Sequence, residues 1–394
     1  MNVLYYSWKS ACDGDCIAGL KNIGMQVHVF SEKFDKYDED ESFLVKAITF
    51  AREIEADAIF SFNYFPDLSR LAAMLNIPYI SWVYDSPHLT LESLTLNSPN
   101  NNVFLFDYAL AQKYLEEGNE SVFYMPLATN VSRHEKDLGI ENFDRINPAT
   151  FGPKEYDHDI TFLGRMYDDD QNFFAQINYL PERLKGIIDA AINAQKGVYG
   201  IDFAQKILTP QILSEVKKYV KAELGPLYRN CSDEIIRNMV RKQITVDERR
   251  ELLTLIGEHF GDSYRVDHYA PAKSDLPVNY KGYAGYNTQM PEIFYKSRIN
   301  LNISLRSIQT GIPLRVIDIL GAGGFCLTNY QAELSQYFEN GVDLVWFESP
   351  DDMLEKIAYY LEHEEQRRAI ARNGHEKARE IFSYEKQLSD IFGI

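Results

Sequence analysis

Short apolar runs alternate with amphipathic segments along this chain, and that alternation constrains the fold more than any other feature. Segments 43–55 and 68–75, for example, carry apolar residues at helical spacing between two such runs. Short buried runs separated by helical segments are typical of parallel strands joined by crossovers. In the first part of the chain we predict strands at residues 3–6, 27–30, 58–62, 79–82, 103–106 and 122–125.

The alternation starts again near residue 160. A chain of 394 residues is long enough for two or three domains. The sequence therefore predicts an α/β protein with two doubly wound, Rossmann-like sheets. We expect an N-terminal domain at 1–150, a C-terminal domain at 151–380 and a final helix at 381–394. The second set of predicted strands lies at residues 160–163, 264–268, 299–303, 325–327 and 344–347.

A helical insertion is predicted within the second domain, at residues 166–260, because strand-like runs disappear there. Thr209-Pro210 is a typical helix start, and the stretch from Thr245 to Glu248 resembles a capping box. Later in the chain a helix opens at Asp351, and Asn373-Gly374 has the form of a helix C-cap followed by a turn.

The net charge of the chain limits the classes of molecule that it is expected to bind. Asp and Glu number 58 against 40 Lys and Arg, which gives a net charge of −18. A field of that sign repels phosphate backbones and anionic lipid heads. We therefore expect no nucleic-acid partner, although a local basic site could hold one nucleotide.

The four cysteines, Cys12, Cys16, Cys231 and Cys326, are too scattered for a disulfide framework and lack a histidine cluster for zinc. We expect no metal and no cofactor. The N-terminus has no basic segment followed by a long apolar one, so no signal peptide is predicted. No run reaches the ~18 apolar residues of a membrane helix, and we expect a cytoplasmic protein.

The strongest motif runs from Gly311 to Phe325. The loop at Gly311 opens a predicted helix at about Leu314, whose free N–H groups and dipole suit a diphosphate. Arg306 and Arg315 flank this start and could donate paired hydrogen bonds to phosphate oxygens. Asp318, one turn into the helix, could accept hydrogen bonds from a ribose diol. The alternative is a buried helix with a surface arginine and a capping acid.

The sequence does not support a dinucleotide-binding site. Gly321-Ala322-Gly323-Gly324 follows a helix and precedes a strand, which is the wrong order for that fingerprint. We interpret it as a helix C-cap with close packing.

Asp85 follows a nearly continuous apolar strand, where ligands bind in open α/β sheets. His88 lies close in sequence and could be a general base. Both are candidate catalytic residues, and the alternative is a helix cap or turn.

Further candidates are less specific. Asp13 and Asp15 form an acid-x-acid pattern in the first strand-to-helix loop, which suits substrate contact or capping better than a metal. Arg165 ends the first strand of the second domain and either faces the ligand or is an ordinary surface arginine. Tyr286 could stack on a base or simply pack.

With these residues in view, the chain resembles the GT-B glycosyltransferases, and more narrowly the CgeB-like group with a group-1 type C-terminal domain. The resemblance covers nearly the whole chain and is densest over residues 280–385. It rests on Ser81-Trp82-Val83-Tyr84-Asp85-Ser86-Pro87, Phe123-Tyr124-Met125-Pro126-Leu127-Ala128, Asn300-Leu301-Asn302 through Leu327-Thr328-Asn329-Tyr330, and the tail from Tyr359 to Gly374.

The resemblance implies two domains facing a cleft, with an acceptor on the N-terminal domain, a nucleotide-diphosphate sugar such as a UDP-sugar on the C-terminal domain, and a final helix that crosses back. It implies transfer to a hydroxyl of a glycan, protein or other acceptor, with retention; Asp13 and Asp15 would lie on the acceptor side. The residues themselves favour catalysis without a metal, because the helix start at Gly311 with Arg306 and Arg315 beside it could neutralise the leaving diphosphate. Related retaining enzymes carry two acids eight residues apart. Asp318 matches the second, and Thr310 stands at the first.

Three other functions stay open at this stage. A nucleotide-sugar epimerase or phosphorylase shares the fold and needs no separate acceptor. A non-catalytic sugar-binding or coat-assembly protein would bind sugar without turning over a donor. A metal-dependent transferase of the GT-A fold is disfavoured by the second α/β domain. The sequence also leaves open whether the chain forms a homo-oligomer.

Overall fold

The computed structural model describes residues 1–35, 39–140, 150–168, 176–177 and 179–394. The chain divides into two compact units, each built on one six-stranded parallel sheet. The first unit comprises Met1–Ala128, Glu223–Cys231 and Phe382–Ile394, and the second comprises Thr129–Ala222 and Ser232–Ile381. The predicted α/β class with two parallel sheets is confirmed.

The first sheet has the strand order β2-β1-β3-β4-β5-β6, so β1 and β3 adjoin where the winding reverses. Its strands are β1 (Asn2–Tyr6), β2 (Gln26–Phe30), β3 (Ala58–Phe62), β4 (Tyr79–Val83), β5 (Asn101–Leu105) and β6 (Val122–Tyr124). Its helices are α1 (Asp13–Asn22), α2 (Glu41–Glu53), α3 (Pro66–Leu75), α4 (Tyr108–Glu116) and, at the end of the chain, α15 (Tyr384–Phe392).

Burial explains why these strands form. Strands β3 and β4 are buried at every position, as expected for the centre of a sheet covered on both faces. The C-terminal helix α15 packs closely on α1 at Gly19, where an added Cβ would lie only 2.8 Å from Cβ of Tyr384. A side chain at Gly19 would therefore separate these two helices.

The second sheet has the order β12-β11-β10-β7-β8-β9, and its winding reverses between β7 and β10. Its strands are β7 (His158–Leu163), β8 (Val266–Tyr269), β9 (Asn279–Gly282), β10 (Ser297–Asn302), β11 (Cys326–Asn329) and β12 (Val345–Phe347). Sequence analysis missed β9, because this edge strand alternates exposed and half-buried residues and lacks an apolar run.

The helices of the second unit include the predicted insertion. They are α5 (Val131–Leu138), α6 (Glu182–Gln195), α7 (Phe203–Ile207), α8 (Pro210–Val216), α9 (Ser232–Phe260), α10 (Met290–Tyr295), α11 (Leu314–Gly321), α12 (Leu334–Tyr337), α13 (Pro350–Glu362) and α14 (Glu364–Ile381). Helix α8 begins after the Thr209 cap as predicted. The predicted start at Thr245 is wrong, because this residue is fully buried in the middle of α9 and its hydroxyl donates to the Arg241 carbonyl.

Two parts of the predicted domain layout differ from these units. Helix α5 packs on α10 and α14, so the second unit begins at Thr129 rather than near residue 150. Residues 223–231, inside the predicted insertion, belong to the first unit. Arg229 ties them there by ion pairs with Glu92 and Glu117.

Two helix ends were predicted at glycines, and the structure confirms one of them. The predicted C-cap at Gly321–Gly324 is confirmed, since α11 ends at Gly321 and Gly323 has a φ of 75°. The predicted stop at Asn373-Gly374 is wrong, because α14 continues to Ile381. A Cβ on Gly374 would lie 2.3 Å from the Asp343 carbonyl oxygen, so close packing explains this glycine.

Within the described residues, no helix is both long enough and apolar enough to cross a membrane.

Candidate functional site

A pocket of about 370 Å³ opens at the carboxyl edge of the first sheet. We call it the first-unit pocket. Its lining comes from the loops that follow β1, β2, β3 and β4, around the point where the winding reverses. Ligands bind at such switch points in open α/β sheets, and the volume suits a small molecule. The lining residues are Tyr6, Ser7, Trp8, Lys9, Ser31, Glu32, Lys33, Phe34, Asn63, Phe65, Asp85, His88 and Thr90.

Asp85 lies in this pocket and is held there by Asn63. The Asn63 side chain donates from Nδ2 to Asp85 Oδ2 at 2.7 Å, and its Oδ1 accepts from the amides of Tyr84 and Asp85. Asn63 is buried and has a left-handed backbone, with φ 64°. A left-handed backbone is uncommon for residues other than glycine, and asparagine is among the few that adopt it readily. The clamp fixes one Asp85 oxygen while the residue stays exposed.

His88 also lines the pocket, but its Nε2 accepts a hydrogen bond from the Tyr64 amide at 3.1 Å. The same Nε2 also lies 3.1 Å from the Tyr64 carbonyl oxygen and 2.7 Å from the Thr90 hydroxyl, so either tautomer of the ring finds a partner at this nitrogen. Burial lowers the pKa of His88, against the opposing effects of the Tyr64 backbone and of Asp85. In either tautomer Nε2 is engaged by the Tyr64 backbone, whereas the Asp85 carboxylate is exposed. The geometry therefore favours Asp85 over His88 as a base.

Asp13 and Asp15 do not line the pocket. Helix α1 begins at Asp13, whose two oxygens accept from the hydroxyls of Tyr5 at 2.8 Å and Ser7 at 2.6 Å. Burial raises the pKa of the Asp13 carboxyl, although these hydrogen bonds oppose the shift. Asp15 is buried within the helix. Their predicted direct role on the acceptor side is not supported by this placement, since Asp13 reaches the pocket only through Ser7.

In the second unit, helix α11 begins at Leu314, as predicted. Three predicted residues meet at its first turns. Asp318 is buried, and its Oδ1 accepts from the hydroxyl of Tyr286 at 3.0 Å and from that of Thr129 at 3.1 Å. The guanidinium of Arg315 lies 3.9 Å from Asp318 Oδ2. The half-buried Tyr286 and Arg315 thus surround one buried carboxylate at a helix start.

Arg306 is not part of this group. Its guanidinium forms a buried ion pair with Glu248, donates to the Val198 carbonyl at 2.7 Å, and stacks over the Tyr199 ring at 4.4 Å. All three of its nitrogens are engaged in the fold, because α9 carries Glu248 directly against the loop after β10. The prediction that Arg306 serves the diphosphate is therefore not supported by its contacts.

A different arginine, Arg249, lies at the switch point of the second sheet. It donates to the carbonyl of Arg165, after β7, and to the carbonyl of Ile303, after β10. Burial lowers the pKa of Arg249, and the charge of Arg315 adds to that effect. Arg165 itself is exposed, as a ligand contact requires, and lies 5.9 Å from the Tyr167 ring. Arg249 thus sets the position of the Arg165 backbone.

Thr310, at the position of the missing acid, donates its hydroxyl to Glu333 at 2.7 Å. Glu333 is 1% exposed and follows β11, so a carboxylate does lie beside the Thr310 position. Gly311 is buried in the same loop.

Sequence reasoning missed three residues of these sites. Asn63 follows a strand without a neighbouring motif, Glu333 lies 23 residues after Thr310, and Arg249 is one of several charges on a long helix. The asparagine directly after an apolar strand was the only available signal.

Over the described part of the chain, no three His, Cys, Asp or Glu residues are grouped so that they could hold a metal ion.

Comparison with known proteins agrees with this architecture. Residues 241–393 match the family model described as "Glycosyl transferase-like", a segment that includes α11 and most of the second sheet. No curated protein matches the chain.

Solved structures match over the full length. Sucrose-phosphate synthase from Thermosynechococcus elongatus has 11% identity and a TM-score of 0.52, covering 100% of this chain and 98% of that one. A glycosyltransferase from Rickettsia africae has 9% identity and a TM-score of 0.52, with 100% and 97% covered. Anabaena HepE in complex with UDP-glucose has 12% identity and a TM-score of 0.54, with 100% and 98% covered. The chain therefore has the α/β fold of the GT-B glycosyltransferases, and its residues 241–393 resemble the glycosyl transferase-like family.

Proposed function

We propose that this protein is a glycosyltransferase that moves a sugar from a nucleotide-diphosphate sugar to an acceptor hydroxyl without a metal ion. The observation that carries the proposal is the meeting of Tyr286, Arg315 and Asp318 at the start of α11, inside the segment that matches the glycosyl transferase-like family. The likeness of the fold to HepE, which was solved with UDP-glucose, favours UDP as the nucleotide.

On the donor side, the α11 start would receive the diphosphate. The amides of Leu314 and Arg315 precede the helical hydrogen bonds, and the helix dipole adds positive potential. Arg315 and the exposed Arg165 would supply further charge. Tyr286 would contact the nucleoside, and a ribose hydroxyl could replace the Tyr286 hydroxyl as the donor to Asp318. Thr310, backed by Glu333, would face the sugar.

On the acceptor side, Asp85 would accept a hydrogen bond from the attacking hydroxyl in the first-unit pocket. The bond between the anomeric carbon and the diphosphate oxygen breaks, and a bond from that carbon to the acceptor oxygen forms. The hydroxyl proton goes to Asp85 in an inverting reaction. In a retaining reaction, which the resemblance implies and we propose here, a phosphate oxygen of the leaving group can take it. Asp85 then orients the hydroxyl.

Calorimetric titration of the full chain with UDP and with uridine tests the donor site. We expect UDP to bind more tightly than uridine, and Arg315→Gln to reduce that preference by about tenfold or more, since hydrogen bonds to charged groups contribute roughly 1.5–3 kcal/mol. Arg298→Gln is the matched control, because Arg298 pairs with Asp159 elsewhere in the second unit.

Incubation with UDP-glucose then separates the remaining functions. UDP release with sugar transfer or hydrolysis supports a transferase, and a changed sugar on intact donor indicates an epimerase. Binding without any turnover indicates a sugar-binding protein. Equal affinity for UDP and uridine would contradict the assigned diphosphate site.

A further inference from the structure

Trp8 is an exposed aromatic side chain fixed in place at the rim of the first-unit pocket. It is 41% exposed, although most large apolar side chains of this unit are buried. Its indole Nε1–H donates to the Phe62 carbonyl at 3.0 Å, which ties the ring to the end of β3. An aromatic ring that is held by a hydrogen bond and still faces solvent is prepared to bind without loss of side-chain entropy.

The other rings of the pocket are already occupied with one another. Phe34 and Phe65 stack at a centroid distance of 5.5 Å, and Tyr6 makes edge contacts with both. Among the described residues, Trp8 stacks on no other ring. It is therefore the pocket aromatic whose surface is left for a ligand.

Polar groups of the same pocket complement this ring. Asp85, clamped by Asn63, offers a carboxylate acceptor, and the ammonium group of Lys9 offers donors. A ligand that fits has one apolar face and a rim of hydroxyl groups. A pyranose has both: its axial C–H groups carry partial positive charge, which the negative face of an aromatic ring attracts, and its hydroxyls hydrogen-bond at the edge. A serine or threonine side chain has no such face.

We propose that Trp8 is a stacking platform for a sugar ring, so that the molecule bound in the first-unit pocket is a saccharide. The identification of that saccharide as the acceptor rests on the proposed function. The binding itself does not depend on it.

Intrinsic fluorescence of the full chain tests the proposal, with methyl glycosides of glucose, galactose, mannose and N-acetylglucosamine as probes. We expect at least one probe to change the emission of the wild-type protein and Trp8→Phe to abolish that change. The matched control is Trp346→Phe, in the second unit, which should keep it; Trp82 is fully buried. No Trp8-dependent change with any probe would overturn the proposal.

Transfer kinetics give a second readout. With the saccharide that binds as acceptor, Trp8→Ala should raise its KM by about tenfold, the scale of one aromatic contact, and Trp8→Phe should restore part of the loss. UDP affinity should stay unchanged in both variants. If UDP does not bind at all, the proposed function fails while saccharide binding at Trp8 still stands. If a serine- or threonine-containing peptide is the better acceptor and ignores the Trp8 change, the saccharide assignment is wrong.

Discussion

The amide nitrogen of Asn63 lies 2.7 Å from a carboxylate oxygen of Asp85, and the amide oxygen of the same side chain accepts from the Asp85 backbone. One buried residue thus fixes both the loop after β4 and the carboxylate that the loop carries. We regard Asn63 as a positioning residue for Asp85.

Replacing Asn63 by glycine should reduce kcat for transfer by about 10- to 100-fold, because a hydrogen bond to a charged group contributes roughly 1.5–3 kcal/mol. Glycine tolerates the left-handed backbone of this position, so the fold should survive. The matched control is Asn76→Gly, at the left-handed C-cap of α3, which should leave kcat unchanged. Equal kcat values for the two variants would show that Asn63 does not position Asp85 for transfer.

Asp85→Asn should lower the transfer rate and leave UDP affinity intact, since the two sites lie on different units. If Asp85 is the general base, the loss should be about 10²–10⁴-fold. A small loss together with a retained anomeric configuration, read by NMR of the product, would mean that the leaving phosphate takes the proton. Lost UDP affinity would contradict the placement of Asp85 on the acceptor side.

Arg306→Gln should destabilise the second unit rather than abolish donor binding. It leaves Glu248 buried without its partner, and breaking a buried ion pair costs about 3–5 kcal/mol. Urea denaturation should show this loss, whereas Arg298→Gln, in a more exposed pair, should cost less than about 1 kcal/mol. A stable Arg306→Gln protein with weakened UDP binding would restore Arg306 to the diphosphate site.

Acidification should destabilise the fold through His88, among other buried histidines. Burial lowers the pKa of His88 below the ~6.5 of an unfolded chain, so the unfolded state binds the proton first. The contribution of the neutral His88 ring to the free energy of unfolding is therefore fully present at neutral pH and is lost as the pH falls below about 6.5. Thermal melts at pH 7 and pH 5 should differ less in His88→Gln, because glutamine can still accept from the Tyr64 amide without becoming charged. An unchanged difference would show that His88 is protonated without cost.

The sheets were predictable from the sequence because central parallel strands must be apolar on both faces. The runs at 58–62 and 160–163 show this, whereas the polar edge strand β9 could not be recognised. The helix start at Thr209 could be predicted because its hydroxyl caps the helix. The start predicted at Thr245 was wrong because that hydroxyl donates to a carbonyl within α9.

Candidate site residues could be predicted only where they lie next to a recognisable turn. Asp85 and Asp318 became candidates in this way. The partner of Arg306 could not be predicted, because Glu248 lies 58 residues away and no local pattern shows that α9 brings the two side chains together. The same holds for Arg249, whose contacts with two strand ends exist only in the folded sheet.

The most direct test of the account is release of UDP from UDP-glucose by the purified protein in EDTA, followed with the wild type and Arg315→Gln. We predict that the wild type turns over the donor without any divalent ion, and that Arg315→Gln is slower by ~10²-fold, the scale of losing one preorganised charge-stabilising donor. Activity that vanishes in EDTA and returns with Mg²⁺ or Mn²⁺, with Arg315→Gln as active as the wild type, would contradict a diphosphate site at the start of α11.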